Sequence, residues 1–199
     1  FEESDVFGVQ GRYKTKQNQI ISQFEQIEIE NSYRKMEIIG NIDSIGTYSA
    51  AYNKKIFSKF NGYNEKYKKA SGEDFELSYR ISNSGYKLVF NNNAVCYHKH
   101  PEKLIEYLKI KLKRGIWRAL IYKNVQNKIL SDSYTSNVLK LQFVSVLLLI
   151  LSLPILLLNI NYYIFPAFCL VVFLFLCIPF VLFSYKYNKV VALISPFII

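Results

Sequence analysis

Cysteine, histidine, methionine and tryptophan are all scarce in this chain. Its 199 residues include three cysteines, two histidines, one methionine and one tryptophan. Cys96, Cys169 and Cys177 are too far apart for a zinc pattern or a disulfide framework, which excludes a metal-ribbon or disulfide-stapled scaffold. Cys169 and Cys177 lie in apolar sequence and read as small buried hydrophobes. No basic stretch running into an apolar segment opens the sequence, so no signal-peptide pattern is read there. The net charge is +10, yet no nucleic-acid motif accompanies it, and no nucleic-acid partner is expected.

What is present falls into two parts. Residues 1–137 are mixed and polar, whereas residues 138–199 are almost entirely apolar. The charge is uneven as well. Residues 1–40 carry seven acidic against five basic side chains, and residues 99–128 carry nine Lys and Arg against Glu102 and Glu106. A basic block just ahead of an apolar tail is expected to attract anionic lipid headgroups, by about 1 kcal/mol per residue near the surface.

Within the tail, 141–158 and 164–183 each approach the ~20 apolar residues that a spanning helix requires. Residues 190–199 read as the start of a third span. Lys and Arg stand before the first run and after the second, with no charge in the 159–163 link. By the positive-inside rule the polar part faces the cytoplasm and the link faces out. The alternative is a buried helical hairpin in a soluble protein. The start at Phe1 and the apolar run up to Ile199 lead us to expect a piece of a longer protein.

Residues 101–137 form a third object. Leu104, Leu108, Leu112, Ile116 and Leu120 recur every four residues among Lys and Arg. This pattern predicts a basic amphipathic helix at the membrane interface, with Pro101 in its first turn and Gly115 as a candidate break. The competing expectation is a helix packed on the soluble part.

The first 100 residues alternate helix and strand signals, so an α/β domain with a partly parallel sheet is predicted. A helix is expected over 19–36, with Ile20, Phe24 and Ile27 on one face and Glu25, Glu28 and Glu30 elsewhere. Asn61-Gly62 marks a turn. Ser71 and Asp74 fit a capping box, Leu77 and Ile81 face inward, and Gly85 ends that helix. Two strands are expected, at 86–90 and 94–98, around Asn91-Asn92-Asn93.

Asp74 and Glu73 are the leading candidates for chemistry. Asp74 reads equally as a helix cap or a proton acceptor, and a helix N-terminus would hold it ionised but weakly basic. His98 and His100, at i, i+2 on a strand end, are expected on opposite faces and not on one metal. Around Lys113-Arg114-Gly115-Ile116-Trp117-Arg118, the first reading is an interfacial Trp with lipid-facing basic residues. The sharper reading is an Arg that holds a diphosphate.

The order of motifs is more telling than any one of them. Gly46-Thr47-Tyr48-Ser49-Ala50-Ala51-Tyr52-Asn53-Lys54 is followed by Phe60-Asn61-Gly62-Tyr63-Asn64-Glu65. Then come Gly72-Glu73-Asp74-Phe75-Glu76-Leu77-Ser78-Tyr79-Arg80-Ile81, Gly85-Tyr86-Lys87, Ala94-Val95-Cys96-Tyr97-His98 and Arg114-Gly115. Over about residues 5–130 this series resembles the C-terminal half of membrane-bound family 2 glycosyltransferases.

The resemblance implies a partial Rossmann-like GT-A domain over 1–100, an interface helix region over 101–137 and transmembrane helices over 138–199. It implies sugar transfer, hexosyltransferase-like and inverting, from a nucleotide-diphospho-sugar to an acceptor hydroxyl. The acceptor would be lipid-linked or a polysaccharide, and the setting a multi-pass protein with its catalytic part on the cytoplasmic face of the cell membrane. Asp74 would be the general base and Glu73 would position the acceptor. Gly46 and Thr47 would face donor and acceptor. Arg114 and Trp117 would bind substrate, and His98 would lie near the diphosphate and a divalent metal, Mg or Mn. Lys111-Leu112-Lys113-Arg114-Gly115 stands where processive relatives carry Gln-x-x-Arg-Trp, so processivity is not implied. The family's Asp-x-Asp metal motif has no counterpart here, since Glu2-Glu3-Ser4-Asp5 and Ser131-Asp132-Ser133 are wrongly placed. The donor and most metal ligands would thus belong to residues absent from this chain, which alone would be inactive. The alternative is a non-catalytic membrane-anchored module or a decayed gene fragment.

Overall fold

The computed structural model describes residues 5–67, 72–125, 128, 132–157 and 160–199. The chain forms two compact units, Phe1–Tyr134 and Thr135–Ile199.

The first unit is α/β. Its strands are β1 (Val6–Lys14), β2 (Asn41–Ile42), β3 (Ala50–Tyr52) and β4 (Lys87–Tyr97), and its helices are α1 (Ile20–Ile39), α2 (Lys54–Lys59), α3 (Glu73–Asn83) and α4 (Leu104–Asn124). The strands form one mixed sheet in the order β2-β4-β1-β3. β1 and β4 are parallel, and β2 and β3 flank them antiparallel. A parallel pair requires a crossover, and the segment between β1 and β4 supplies it.

The two strands expected around Asn91-Asn92-Asn93 are one. The register jumps there, from Gly11 opposite Asn91 to Arg12 opposite Val95. The asparagines bulge out of a continuous strand, because β1 supplies fewer residues on its side. Gly11 sits at that jump with no room for a side chain: a Cβ there would lie 2.2 Å from Ser49 Oγ and 2.7 Å from the Ala94 carbonyl oxygen.

The core lies between the sheet and the helices. Tyr33 and Met36 of α1 meet Leu77 and Ile81 of α3, with Ile45 and Leu88 beside them. Leu77 and Ile81 face inward as the i, i+4 spacing predicts. Burying each such side chain contributes about 1.5–3 kcal/mol. The Asn61-Gly62 turn forms, both residues having positive φ, and Arg80 of α3 donates to the carbonyls of Phe60 and Gly62. Ser71 of the predicted capping box lies outside the described residues. Gly72, with φ of 109°, stands at the N-cap.

α1 departs from its expected polarity. Phe24 and Ile27 are buried, but so are Glu25 and Glu30. Each has a basic partner from a distant element: Arg114 for Glu25 and Arg12 for Glu30. α4 runs unbroken through Gly115, and Pro101 precedes it instead of occupying its first turn. Its two faces differ. Tyr107 and Ile121 are buried, while Leu104, Leu108, Leu112, Ile116 and Leu120 are exposed, Leu112 to 68 %. The stripe that repeats every four residues therefore points away from the unit, and the opposite face packs on it.

The second unit is all helical: α5 (Asn137–Ser152), α6 (Ile164–Tyr185) and α7 (Lys189–Ile198). Two of its helical segments, Asn137–Ile155 and Asn161–Tyr185, are long and apolar enough to cross a membrane. Beyond Ser152 the backbone tightens into a 3₁₀ turn that contains Pro154. α7 has 10 residues. Its surface is rich in large apolar side chains. Gln142, Ser145, Ser152 and Ser195 are buried, and Phe168, Phe175 and Leu182 are exposed.

Candidate functional site

The start of α3 brings Asp74 against the turn Thr47–Ser49. Asp74 Oδ1 accepts from the Phe75 amide at 2.9 Å, and Oδ2 accepts from the Thr47 amide at 3.2 Å. Other bonds hold the turn in place. The Ser78 hydroxyl donates to the Asp74 carbonyl at 2.6 Å and accepts from the Ile45 amide at 3.1 Å. Gln10, buried on β1, accepts from the Gly46 amide at 2.5 Å and donates to the Ser49 carbonyl at 3.2 Å. One side chain thus clamps both ends of the turn.

Asp74 is more basic than its helix position alone implies. Burial raises its pKa above the usual carboxylate value, against the amides of Phe75 and Thr47, and the Glu73 charge adds to the rise. The expectation that the helix N-terminus lowers its pKa is thereby corrected: desolvation exceeds the help from the helix N-terminus. Tyr63 stands nearby, since burial and the Asp74 and Glu73 carboxylates raise its phenol pKa.

The next residue of the turn reaches a second cluster. The Tyr48 hydroxyl accepts from Arg114 Nη2 at 3.2 Å, and its ring lies 4.3 Å from the His98 ring. Arg114 Nη1 donates to Glu25 at 2.9 Å. Burial opposes the Arg114 charge, but Glu25 and the surrounding phenols more than offset it and raise the guanidinium pKa. His98 and His100 both have lowered pKa values, from burial first, and are held neutral.

The histidines are not on opposite faces. Their ring centroids lie 5.4 Å apart, packed around Tyr13. β4 ends at Tyr97, so strand alternation no longer governs them. Among the described residues no group of three or more His, Cys, Asp and Glu comes together to hold a metal. His98 supplies one imidazole and does not make a metal centre here.

α4 completes the arrangement. Trp117 lies one turn beyond Arg114, with its ring 5.6 Å from Tyr67. A Cβ on Gly72 would stand 3.9 Å from the Trp117 Cβ and 2.7 Å from Ile121 Cδ1, so α4 crosses close over the start of α3. The expectation of lipid-facing basic residues fails for two of them. Arg114 turns onto Glu25, and Arg118 lies over the Phe75 ring at 4.4 Å.

Thr47 and Asp74 are thus hydrogen-bonded with Gly46 beside them, and Arg114 and His98 meet through Tyr48. Trp117 borders Gly72, the neighbour of Glu73. Among the described residues no hydrogen bond joins Asp74 to Arg114; they are linked through the adjacent residues Thr47 and Tyr48. Sequence reasoning missed Gln10, Glu25, Tyr48 and His100 as members of this network. Tyr48 stood inside a quoted motif; the buried polar residues carried no local signal. No family model matches the chain, and no curated protein matches it.

Proposed function

We propose that this chain is the acceptor-side part of an inverting, hexosyltransferase-like glycosyltransferase with a Rossmann-like GT-A domain. The observation that carries this reading is the turn Thr47–Ser49. It holds a half-buried, basic Asp74 through Thr47 and a guanidinium through Tyr48.

The chemistry follows from that pairing. The acceptor hydroxyl gives its proton to Asp74 as its oxygen attacks the anomeric carbon of the donor sugar. The bond from that carbon to the diphosphate oxygen breaks on the opposite face, so the configuration inverts. Negative charge grows on the leaving nucleoside diphosphate, where a fixed cation stabilises it most. Arg114 is that cation. Glu73 and Trp117 border the acceptor, and Gly46 leaves the approach to Asp74 open. The nucleotide-sugar donor and the divalent metal, Mg or Mn, depend on residues outside this chain, with His98 beside the diphosphate.

The cell membrane is the setting. The protein is multi-pass, with the Phe1–Tyr134 unit in the cytoplasm and the exposed stripe of α4 at the level of the lipid headgroups. A lipid-linked or polysaccharide acceptor fits that location.

The test is Asp74→Asn in the full-length protein, assayed in membranes with a panel of nucleotide sugars. Donor binding is expected to survive and transfer to fall by about 10²–10⁴-fold. Wild-type turnover would refute the role. The rival reading, a non-catalytic membrane-anchored module, draws on the lack of an Asp-x-Asp motif in this sequence. Coding sequence upstream that holds a strand-borne Asp-x-Asp would remove it.

A further inference from the structure

A pocket of about 550 Å³ opens beside the Tyr48–Arg114 cluster, and Glu25, Tyr48, His98, His100, Lys109 and Arg114 help line it. Its least expected member is Glu25. This carboxylate is 1 % exposed, on a helix face that the sequence pattern assigns to water. A buried carboxylate is costly unless it is paired. Its Oε1 takes Nη1 of Arg114 at 2.9 Å, and its Oε2 lies 3.7 Å from His100 Nδ1 without a hydrogen bond among the described residues.

The pairing is asymmetric. The Arg114 side chain remains 41 % exposed while that of Glu25 is 2 % exposed. Glu25 therefore grips the guanidinium from behind and Tyr48 grips it from the side. Among the described residues these are the two acceptors of Arg114. A guanidinium has five N–H groups in a fixed fork, so three are not used by these two acceptors. An unheld Arg on a helix surface would extend into water and lose that orientation on binding.

We infer that Glu25 is a positioning residue that holds Arg114, with Tyr48, as a diphosphate-binding fork over this pocket. Lys109 also lines this pocket, together with Glu106, while Lys99 at its rim pairs with Glu102 at 3.6 Å. The identity of the ligand rests on the glycosyl-transfer reading, in which a diphosphate leaves from this side. The role of Glu25 rests on the geometry alone.

The sign of one measurement separates positioning from simple charge. Glu25→Gln removes a negative charge next to the pocket. If charge alone governed the site, this substitution would tighten anion binding. If Glu25 positions Arg114, it weakens binding. The experiment is calorimetric titration of inorganic pyrophosphate into the full chain in neutral phosphatidylcholine nanodiscs. Wild type is expected to bind, and Glu25→Gln and Arg114→Lys each to lose about tenfold in affinity. Near-ultraviolet circular dichroism checks that each variant is folded. Tyr48→Phe removes the second grip at a half-exposed position and should bind about threefold more weakly without a folding defect. Unchanged or tighter binding by both Glu25→Gln and Tyr48→Phe overturns the inference, as does wild type that does not bind pyrophosphate. Failure of the glycosyl-transfer reading is seen separately, in the transfer assay of Asp74→Asn.

Discussion

The two units of this protein differ most in what they expose. In Phe1–Tyr134 the interior is Tyr33, Met36, Leu77, Ile81 and Leu88, and most charges lie outside. In Thr135–Ile199 Gln142, Ser145, Ser152 and Ser195 are buried together with Cys177, Phe180, Phe183 and Val191, while Phe168 and Phe175 are exposed. The physics is shared, and the apolar surface of the second unit is what a lipid solvent would favour. In water, apolar burial drives folding. Among lipid tails that drive is absent, and polar side chains turn inward to find partners. Gln142 shows this, donating to the Leu176 carbonyl at 3.1 Å. Each unit also has exceptions that mark its demands. Buried Glu25 and Glu30 in the first unit serve Arg114 and Arg12, not the core.

The largest effect that would break this contrast comes from truncating apolar side chains. Leu77→Ala should destabilise the first unit by about 2–5 kcal/mol. Phe175→Ala, at a position 71 % exposed, should cost its unit less than about 0.5 kcal/mol in a bilayer. Hydrogen exchange of the full chain in nanodiscs, read separately on α3 and α6, gives both values. A large loss of protection at α6 would mean that the Phe175 face packs on protein and not on lipid.

Polar deletions come next and should rank the other way round from intuition about membranes. Gln10→Leu leaves the Gly46 amide without its acceptor and should cost about 1–3 kcal/mol. Gln142→Leu should cost only about 0.6 kcal/mol, because alternative partners exist in the membrane-unfolded state. The same exchange measurement, on β1 and on α5, decides the order.

The smallest effect has the opposite sign. Burial raises the Asp74 pKa, so its ionised form destabilises the folded unit. The unfolded state releases the proton more readily, so stability from this group falls as pH rises from the unfolded value through the folded one. Asp74→Asn should therefore offset that loss at neutral pH. That gain should shrink as pH drops through the folded-state pKa and vanish below the ordinary carboxylate value. Thermal melts from acid to neutral pH would show it; a gain that is independent of pH would contradict the desolvated state of Asp74.

Much of the fold could be read from local pattern. The core helices α1 and α3, the Asn61-Gly62 turn, the outward stripe of α4 and the two long apolar helices follow from spacing within short windows. The Asn91–Asn93 bulge did not, because it depends on how many residues β1 supplies opposite β4. The histidines were misplaced for a related reason: their orientation is set by where the strand stops. At the site, Gly46, Thr47, Asp74, Arg114 and His98 were legible as an ordered series. Their support was not, since Gln10 and Glu25 look like ordinary polar positions until their partners arrive.

The sequence by itself determined where polarity changes. A polar, basic stretch precedes an apolar one, and composition alone divides the chain into a polar and an apolar part. It also determined which short segments become helices or strands, since those depend on neighbours a few residues away. Only the tertiary structure decided the chemistry of the site. Glu25 and Arg114 are 89 residues apart, and Thr47 and Asp74 are 27 apart. Burial of a charge, the direction of a guanidinium and the basicity of a carboxylate depend on what surrounds them in space, and no local pattern carries that information.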